Sequence, residues 1–432
     1  TPADRSNNRH AYTFNDLVMT DYKYDDRTVT YAVECRPGNE DVYYWLRKNP
    51  HKFNLGRLTF LYGGDRIRPV DMGDLKQTLY LYEGILESLF KLHGTVCKVR
   101  TCCHYETGTI AVEAESELFK EGLLSVALLF PYASPEISAS DWNNDKLHES
   151  RIVYDDGVIL CIERKMDRTL YYAWLRAEKN TVFKRAKAHD FRIESCDGRL
   201  SFTLSFRKDE ASRENIPDVK KTFKSSIKGW RDFWENGGIV KLHNSKDERA
   251  VELERRIILS RYQLKVHCCG SLPPQETGLF CNSWHGKFHL EMHLWHQAYL
   301  PLWNHADLLI TCIDWYLDIL PRAKANASRN GFSGAKWPKQ VAYDGIDSPS
   351  PIATLLIWQQ PHIIYMLELL YKYPAANKIK GTKNWENTRK EFLERYYVLI
   401  KETADYMADL VVYNKTTKRF DLVPPLIPAQ EA

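Results

Sequence analysis

The sequence predicts an α+β chain of more than one domain, an N-terminal antiparallel β-sandwich followed by an all-helical domain. Three observations predict this. The 432 residues exceed what a single hydrophobic core usually organises. From Tyr12 to about Arg207, apolar and polar residues alternate with the period of a half-buried strand. Beyond about residue 245, apolar residues recur at three- and four-residue spacing, the mark of a helix with one buried face.

The strand signal is carried by DRTVTYAVE, KVRTCCHYETGTIAVEAES, GLLSVALLF, GVILCIERKMDRTLYYAWLRAE and GRLSFTLSF. These runs are rich in β-branched and aromatic residues and are bounded by Gly, Asp and Asn turns, which favours antiparallel strands. A charged stretch, KDEASRENIPDVK, then breaks the pattern at 208–220. In KSSIKGWRDFWENGG, Ile227, Trp230, Phe233 and Trp234 fall on one helical stripe that stops at Gly237-Gly238. The expected domains are therefore 1–207 for the sandwich, 208–245 for a linker with a connector helix, and 246–432 for the helical domain. No clear strand is legible in that last part. Its helices alternate with long loops rich in Gly, Pro, Trp and polar residues, and long loops inside a compact domain are more often functional than idle.

Composition narrows the function classes. The formal charge of +4 is small and built from interleaved signs, so nucleic acid is not an expected partner. The longest apolar runs, such as LLSVALLF, fall well short of the roughly 20 residues a membrane helix needs, so no membrane association is expected. The chain begins at Thr1, which fits a processed export signal or a trimmed polypeptide equally well. An extracellular or periplasmic location is expected, with the cytoplasm left open. Ten cysteines include no CxxC pair, and most read as buried small apolar residues. Aromatic residues make up 12% of the chain, with 12 Trp and 25 Tyr, a mixture that suits a sugar-lined cleft as well as a large core.

Two stretches are dense in Trp, His, Lys, Gln and acid: NSWHGKFHLEMHLW at 282–295 and GAKWPKQVAYDGIDSPSPIATLLIWQQPH at 334–362. Laid on a helix, Trp284, Lys287, Glu291 and Trp295 share one face, and His285, His289, His293 and His296 another. His289 and His293 have the spacing of a zinc motif, but in HLEMH the Glu is turned away, so no metal is expected. The histidines read as packed partners in a helical interface. A Trp/Lys/Glu/Trp face can hold a sugar, whose CH patches lie on indoles while charged and amide groups take its hydroxyls. An equally good reading is a Lys287–Glu291 surface pair flanked by core tryptophans. The second stretch favours the sugar. Trp337 and Lys339 sit in a Gly/Pro loop, and Trp358, Gln359, Gln360 and His362 surround Pro361, which belongs in the first turn of a helix. Asp344, Asp347 and Ser348 are expected to cap turns.

In the order of these segments the chain resembles the inverting (α/α)6-barrel glycosidases, glycoside hydrolase family 65 and its six-hairpin, glucoamylase-like neighbours. GAKWPKQVAYDGIDSP is similar to that family's G-A-x-[FW]-P-W…DG-x-E segment, and ETADYMADLVVYNKTTKRFDLVPPLIPAQE at 402–431 to its E-T-A-R-F-W…GPDE segment. The resemblance implies an N-terminal supersandwich followed by part of an (α/α)6 toroid, and hydrolysis of an α-linked glycosidic bond with inversion. It implies an oligosaccharide or glycoside substrate, no cofactor, and Glu431 as general acid. Sugar binding then falls to Trp284, His285, Lys287, Glu291, Trp337, Lys339, Trp358, Gln359, Gln360 and His362. FHLEM stands where the family has F-W-D-T-E, IPAQE where it has GPDE, and IDSPS lacks its Glu. These departures point to a neighbouring family. The residues after the linker are too few for a full ring of six helical hairpins. The chain is therefore expected to be a fragment, with the general base beyond Ala432; Glu291 reads as a hydroxyl acceptor. A non-catalytic carbohydrate-binding relative and a polysaccharide lyase are the competing expectations.

Overall fold

The computed structural model describes residues 12–24, 27–178, 180–209, 215–373, 385–422 and 424–429. It divides into two compact units. One holds 53–134 and 140–236; the other holds the described residues up to Lys52, 135–139, and those from Gly237 onward.

The first unit is built on two antiparallel sheets. The larger has eight strands, in spatial order His148–Asp155, Ile159–Met166, Thr169–Ala177, Arg199–Arg207, Ile110–Glu115, Thr95–Cys103, Ile85–Leu92 and Met72–Tyr80. The smaller has five: Thr181–Lys187, Asp190–Ser195, Leu124–Leu129, Arg57–Tyr62 and Asp65–Arg66. One buried cluster draws on both sheets, with Phe90, Val99, Leu175 and Phe202 from the larger meeting Val126, Leu128, Phe191 and Ile193 from the smaller. That shared core is what period-two alternation demands of a sheet with one dry face.

The helix Val219–Asn236 covers part of the other face of the large sheet. Ile85, Cys102 and Ala111, paired across three strands, form a buried cluster with its Val219 and Phe223. Close approach depends on a missing side chain: a Cβ at Gly229 would stand 2.1 Å from the Tyr105 ring. Trp234 donates its indole N–H to the Leu81 carbonyl at 2.8 Å, and Ser226 donates to Glu83 at 2.9 Å. The segment expected to be a connector is thus a packed layer of the sandwich unit.

The second unit contains the helices Arg249–Cys268, Leu290–Gln297, Tyr299–Leu302, Ala306–Asp318, Leu320–Arg329, Pro351–Leu355, His362–Lys372 and Trp385–Asp409. Their core gathers Leu309, Ile313, Tyr316, Trp337, Met366, Leu370 and Leu399. Two findings differ from the sequence-based expectation. The hairpin Thr20–Tyr24/Arg27–Tyr31 groups with this unit, because its apolar residues Val29, Tyr31 and the following Val33 are buried with Ala327, Phe332 and Tyr406. Helices are also not the whole of the unit: Phe288–His289 pairs with Gln340–Val341, and Val411–Asn414 with Arg419–Leu422. Strands this short leave no periodic trace in a sequence.

All ten cysteines are free; five are buried, three part-buried and two exposed, so the buried-apolar reading fits half of them. No helix among the described residues is long and apolar enough to cross a membrane.

Candidate functional site

The spine of the candidate site is the segment Trp337–Gln340. Gly334, three residues before it, has a left-handed conformation, φ 72°, and lies so close to the helix Trp385–Asp409 that a Cβ would meet Glu402 O and Tyr406 N at 2.3 Å. Ala335 N–H then donates to Glu402 O at 2.8 Å, and the Trp337 indole to Thr403 Oγ1 at 2.8 Å. From this anchored backbone the chain touches both dense stretches. The Trp337 carbonyl accepts from Gln359 Nε2 at 3.0 Å and Gln360 Nε2 at 2.9 Å, while Gln360 Oε1 accepts from Trp337 N–H at 2.8 Å. Three residues on, Gln340 pairs with His289 across the two-residue ladder, and Leu290 N–H donates to Lys339 O at 2.8 Å.

That ladder places Lys339 beside Glu291. Lys339 Nζ stands 2.9 Å from Glu291 Oε2, with both side chains buried. The contact lacks hydrogen-bond geometry, so the attraction is Coulombic and the carboxylate oxygen keeps its lone pairs. His289 accepts from Met292 N–H through Nδ1 at 3.2 Å, which caps the helix Leu290–Gln297. Its proton therefore belongs on Nε2, 4.0 Å from Glu291 Oε2. Burial holds this imidazole neutral, with its pKa pulled down to about 3. The His362 ring bonds to the backbone at Leu290 and Glu291, and burial pulls its pKa to about 4. Trp284 faces the group, with Lys339 Nζ 5.7 Å from its ring.

Several buried polar atoms here have no protein partner: His289 Nε2, both amide atoms of Gln340, Trp358 Nε1, Gln359 Oε1 and His362 Nδ1. Each such atom costs about 1–3 kcal/mol if left unmet. They come from three stretches, at 289, 340 and 358–362, and unmet buried polar atoms of this kind are able to take a polar ligand.

Several of the expected placements differ from the sequence reading. Trp284 and His285 belong to a 3-10 turn, Ser283–Gly286, with φ of 46° and 59°, and the helix starts only at Leu290. The single helical face drawn through Trp284, Lys287, Glu291 and Trp295 is therefore not formed, because left-handed residues and the ladder interrupt it. Lys287 does not pair with Glu291. Its amine donates to the Leu46 carbonyl at 3.1 Å and to the Asn49 carbonyl, at the C-terminal end of the helix Glu40–Lys48. Burial pulls its pKa down to about 7. His285 Nδ1 bonds to Pro135 O at 2.8 Å. Trp337 is 1% exposed and belongs to the core. His293, held between Tyr316 OH at 2.9 Å and Gln297 Oε1 at 3.1 Å, is a packed histidine. Pro361 occupies the N-cap of the helix His362–Lys372, where its missing N–H costs nothing. Asp344 caps a turn through Ile346 N–H at 3.2 Å. Asp347 instead lies 3.6 Å from the buried amine of Lys336, which donates to Asn330 Oδ1 at 2.9 Å and Thr354 O at 3.0 Å. Glu431 lies outside the described residues. Sequence reasoning missed Gln340 and the Lys336–Asp347 pair; a Gln beside Lys339 was the available signal for the first. The open groove of about 590 Å³ lined by Lys324, Phe332, Gly334, Glu402 and Asp405 includes no residue of Trp337–Gln340 and none of the polar cluster.

The chain is similar in fold to solved structures of low sequence identity. Over 86% of its length it matches a protein assigned as a kojibiose phosphorylase from the human microbiome, at 12% identity and a TM-score of 0.61. A bacterial glucoamylase, solved in complex with acarbose, is matched over 81% of the chain and 60% of its own length, at 11% identity and a TM-score of 0.46. The chain spans about half, 51%, of the phosphorylase structure. No protein-family model and no curated protein matches it. At this identity the likeness to the phosphorylase structure is one of fold.

Proposed function

We propose that the chain is part of a glycoside hydrolase that cleaves an α-linked glycosidic bond with inversion, its helical unit belonging to an (α/α)6 toroid. The observation that carries this reading is the meeting of Glu291, His289, Gln340, Gln359 and His362 along Trp337–Gln340, with hydrogen-bonding atoms unused by the protein and an indole alongside. Sugars present hydroxyls that donate and accept at once, over an apolar ring face, and this set answers both. Glu291, held beside Lys339 with its Oε2 free of hydrogen bonds, is fitted to hold a hydroxyl.

In the inverting reaction one carboxylic acid protonates the leaving oxygen, and a carboxylate some 6.5–9.5 Å away activates water. The motif resemblance assigns the acid to Glu431. The stretch that precedes it in the sequence, PPLIPAQ, is largely apolar, the composition expected beside an acid that must hold its proton. Glu431→Gln in the native polypeptide tests the assignment: turnover of α-linked disaccharides is expected to fall by about 10²–10⁴. Undiminished turnover would reject Glu431 as the acid.

A further inference from the structure

We propose that His289 and Gln340 form a hydroxyl-reading pair that selects a neutral vicinal diol on the sugar ring, with Glu291 as a third contact. The inference rests on the glycoside reading of the same site and adds a specificity-determining pair to it.

Residues directly opposite in an antiparallel ladder project their side chains to the same face. His289 and Gln340 are so paired, and both side chains are buried. Neither uses its free atoms on the other. Gln340 Oε1 and Nε2 have no hydrogen-bond partner, and neither has His289 Nε2. The second imidazole nitrogen is committed to Met292 N–H, so Nε2 can only donate. Together the pair offers a fixed donor, a donor–acceptor amide, and Glu291 Oε2 4.0 Å from the imidazole as a further acceptor.

Two neighbouring hydroxyls need such a set, since each has one hydrogen to give and lone pairs to fill. A glutamine bridges them by accepting from one and donating to the other. The pair itself presents dipoles without net charge: burial keeps the imidazole neutral, and the Lys339 ammonium is matched by Glu291. A carboxylate or phosphate that took the donors His289 Nε2 and Gln340 Nε2 would stand next to the Glu291 carboxylate, 4.0 Å from that imidazole nitrogen, and meet a like charge. The chemistry recognised is therefore an uncharged diol and not a uronate.

The native polypeptide would be titrated calorimetrically with methyl α-glucoside, α-mannoside and α-galactoside, then with the monodeoxy analogues and the uronide of the best binder. Loss of either of two adjacent hydroxyls is expected to weaken binding about tenfold or more, and the uronide to bind at least as poorly. In Gln340→Leu the parent glycoside is expected to weaken to the level of those deoxy analogues, which themselves change little; His289→Gln checks the partner without introducing an apolar group. A merely structural glutamine would weaken all ligands alike, and that outcome overturns the proposal. So does a uronide that binds as tightly as its neutral parent. Glycosides that bind and turn over with unchanged hydroxyl selectivity in Gln340→Leu would defeat this pair alone. Absence of binding by every glycoside would defeat the glycoside reading, and the pair with it.

Discussion

Lys339 and Glu291, 48 positions apart in the sequence, meet as a buried ion pair at 2.9 Å, and the short ladder of Phe288–His289 with Gln340–Val341 is what brings them together. Removing one partner would strand the other's charge away from water. Lys339→Met or Glu291→Leu alone is expected to cost about 3–5 kcal/mol, and the double replacement to recover most of that loss. Urea denaturation of the four proteins measures the coupling. Sugar binding should stay lost in the double variant even as stability returns, which separates the ligand role from the structural one.

Trp337 is expected to behave as a core residue. Trp337→Phe removes the hydrogen bond to Thr403 and part of the packing against Tyr316, at an expected cost of about 1–3 kcal/mol. Calorimetric unfolding would show the loss, with glycoside affinity nearly unchanged if folding is preserved.

Gly334→Ala is expected to be severe. The new Cβ would sit 2.3 Å from two backbone atoms of the helix Trp385–Asp409, in a conformation that disfavours any side chain. A loss of about 3 kcal/mol or more follows, read as a lower urea midpoint. Gly345→Ala, where the nearest atom is a flexible Arg322 carbon at 3.0 Å, should cost less.

Acid should destabilise the sandwich unit through a buried cation. Arg164, fully buried, donates to His148 Nδ1 at 2.6 Å and contacts His189 Nδ1 at 3.2 Å, and the two imidazoles stack with centroids 3.8 Å apart. Burial, with the neighbouring guanidinium, pulls the His148 pKa from 6.5 to about 3 and lowers that of His189. Below pH 6.5 the unfolded chain therefore binds protons that the folded chain refuses. Stability contributed by the neutral rings is present above that pH and falls progressively as the pH drops toward about 3. Thermal unfolding between pH 8 and 4 should show this decline. His148→Gln, which keeps an acceptor for Arg164, should flatten it, and an unchanged slope would show that the pair does not couple to folding.

Long periodic segments were legible in the sequence, and local contacts between distant segments were not. Alternation in KVRTCCHYETGTIAVEAES identified strands because one face of each is dry, and the stripe of Ile227, Trp230 and Phe233 identified a helix for the same reason. The first hairpin was misplaced because alternation reports that a face is buried, not whether a second sheet or a set of helices buries it. In the polar cluster, Glu291, Lys339, Gln359 and His362 stood out in the sequence by side-chain chemistry alone. Lys287 was misjudged because its partners are backbone carbonyls of the helix Glu40–Lys48, which no residue type advertises. Gln340 was missed because its importance comes from standing opposite His289, a register fixed by two residues on each side.

The most direct measurement is proton NMR of sugar release from α-linked disaccharides by the native polypeptide, following the anomeric signals from the first minutes. Initial release of the β-anomer, without phosphate in the buffer, is expected. Initial release of the α-anomer, strict dependence on phosphate, or no release at all would contradict an inverting hydrolase.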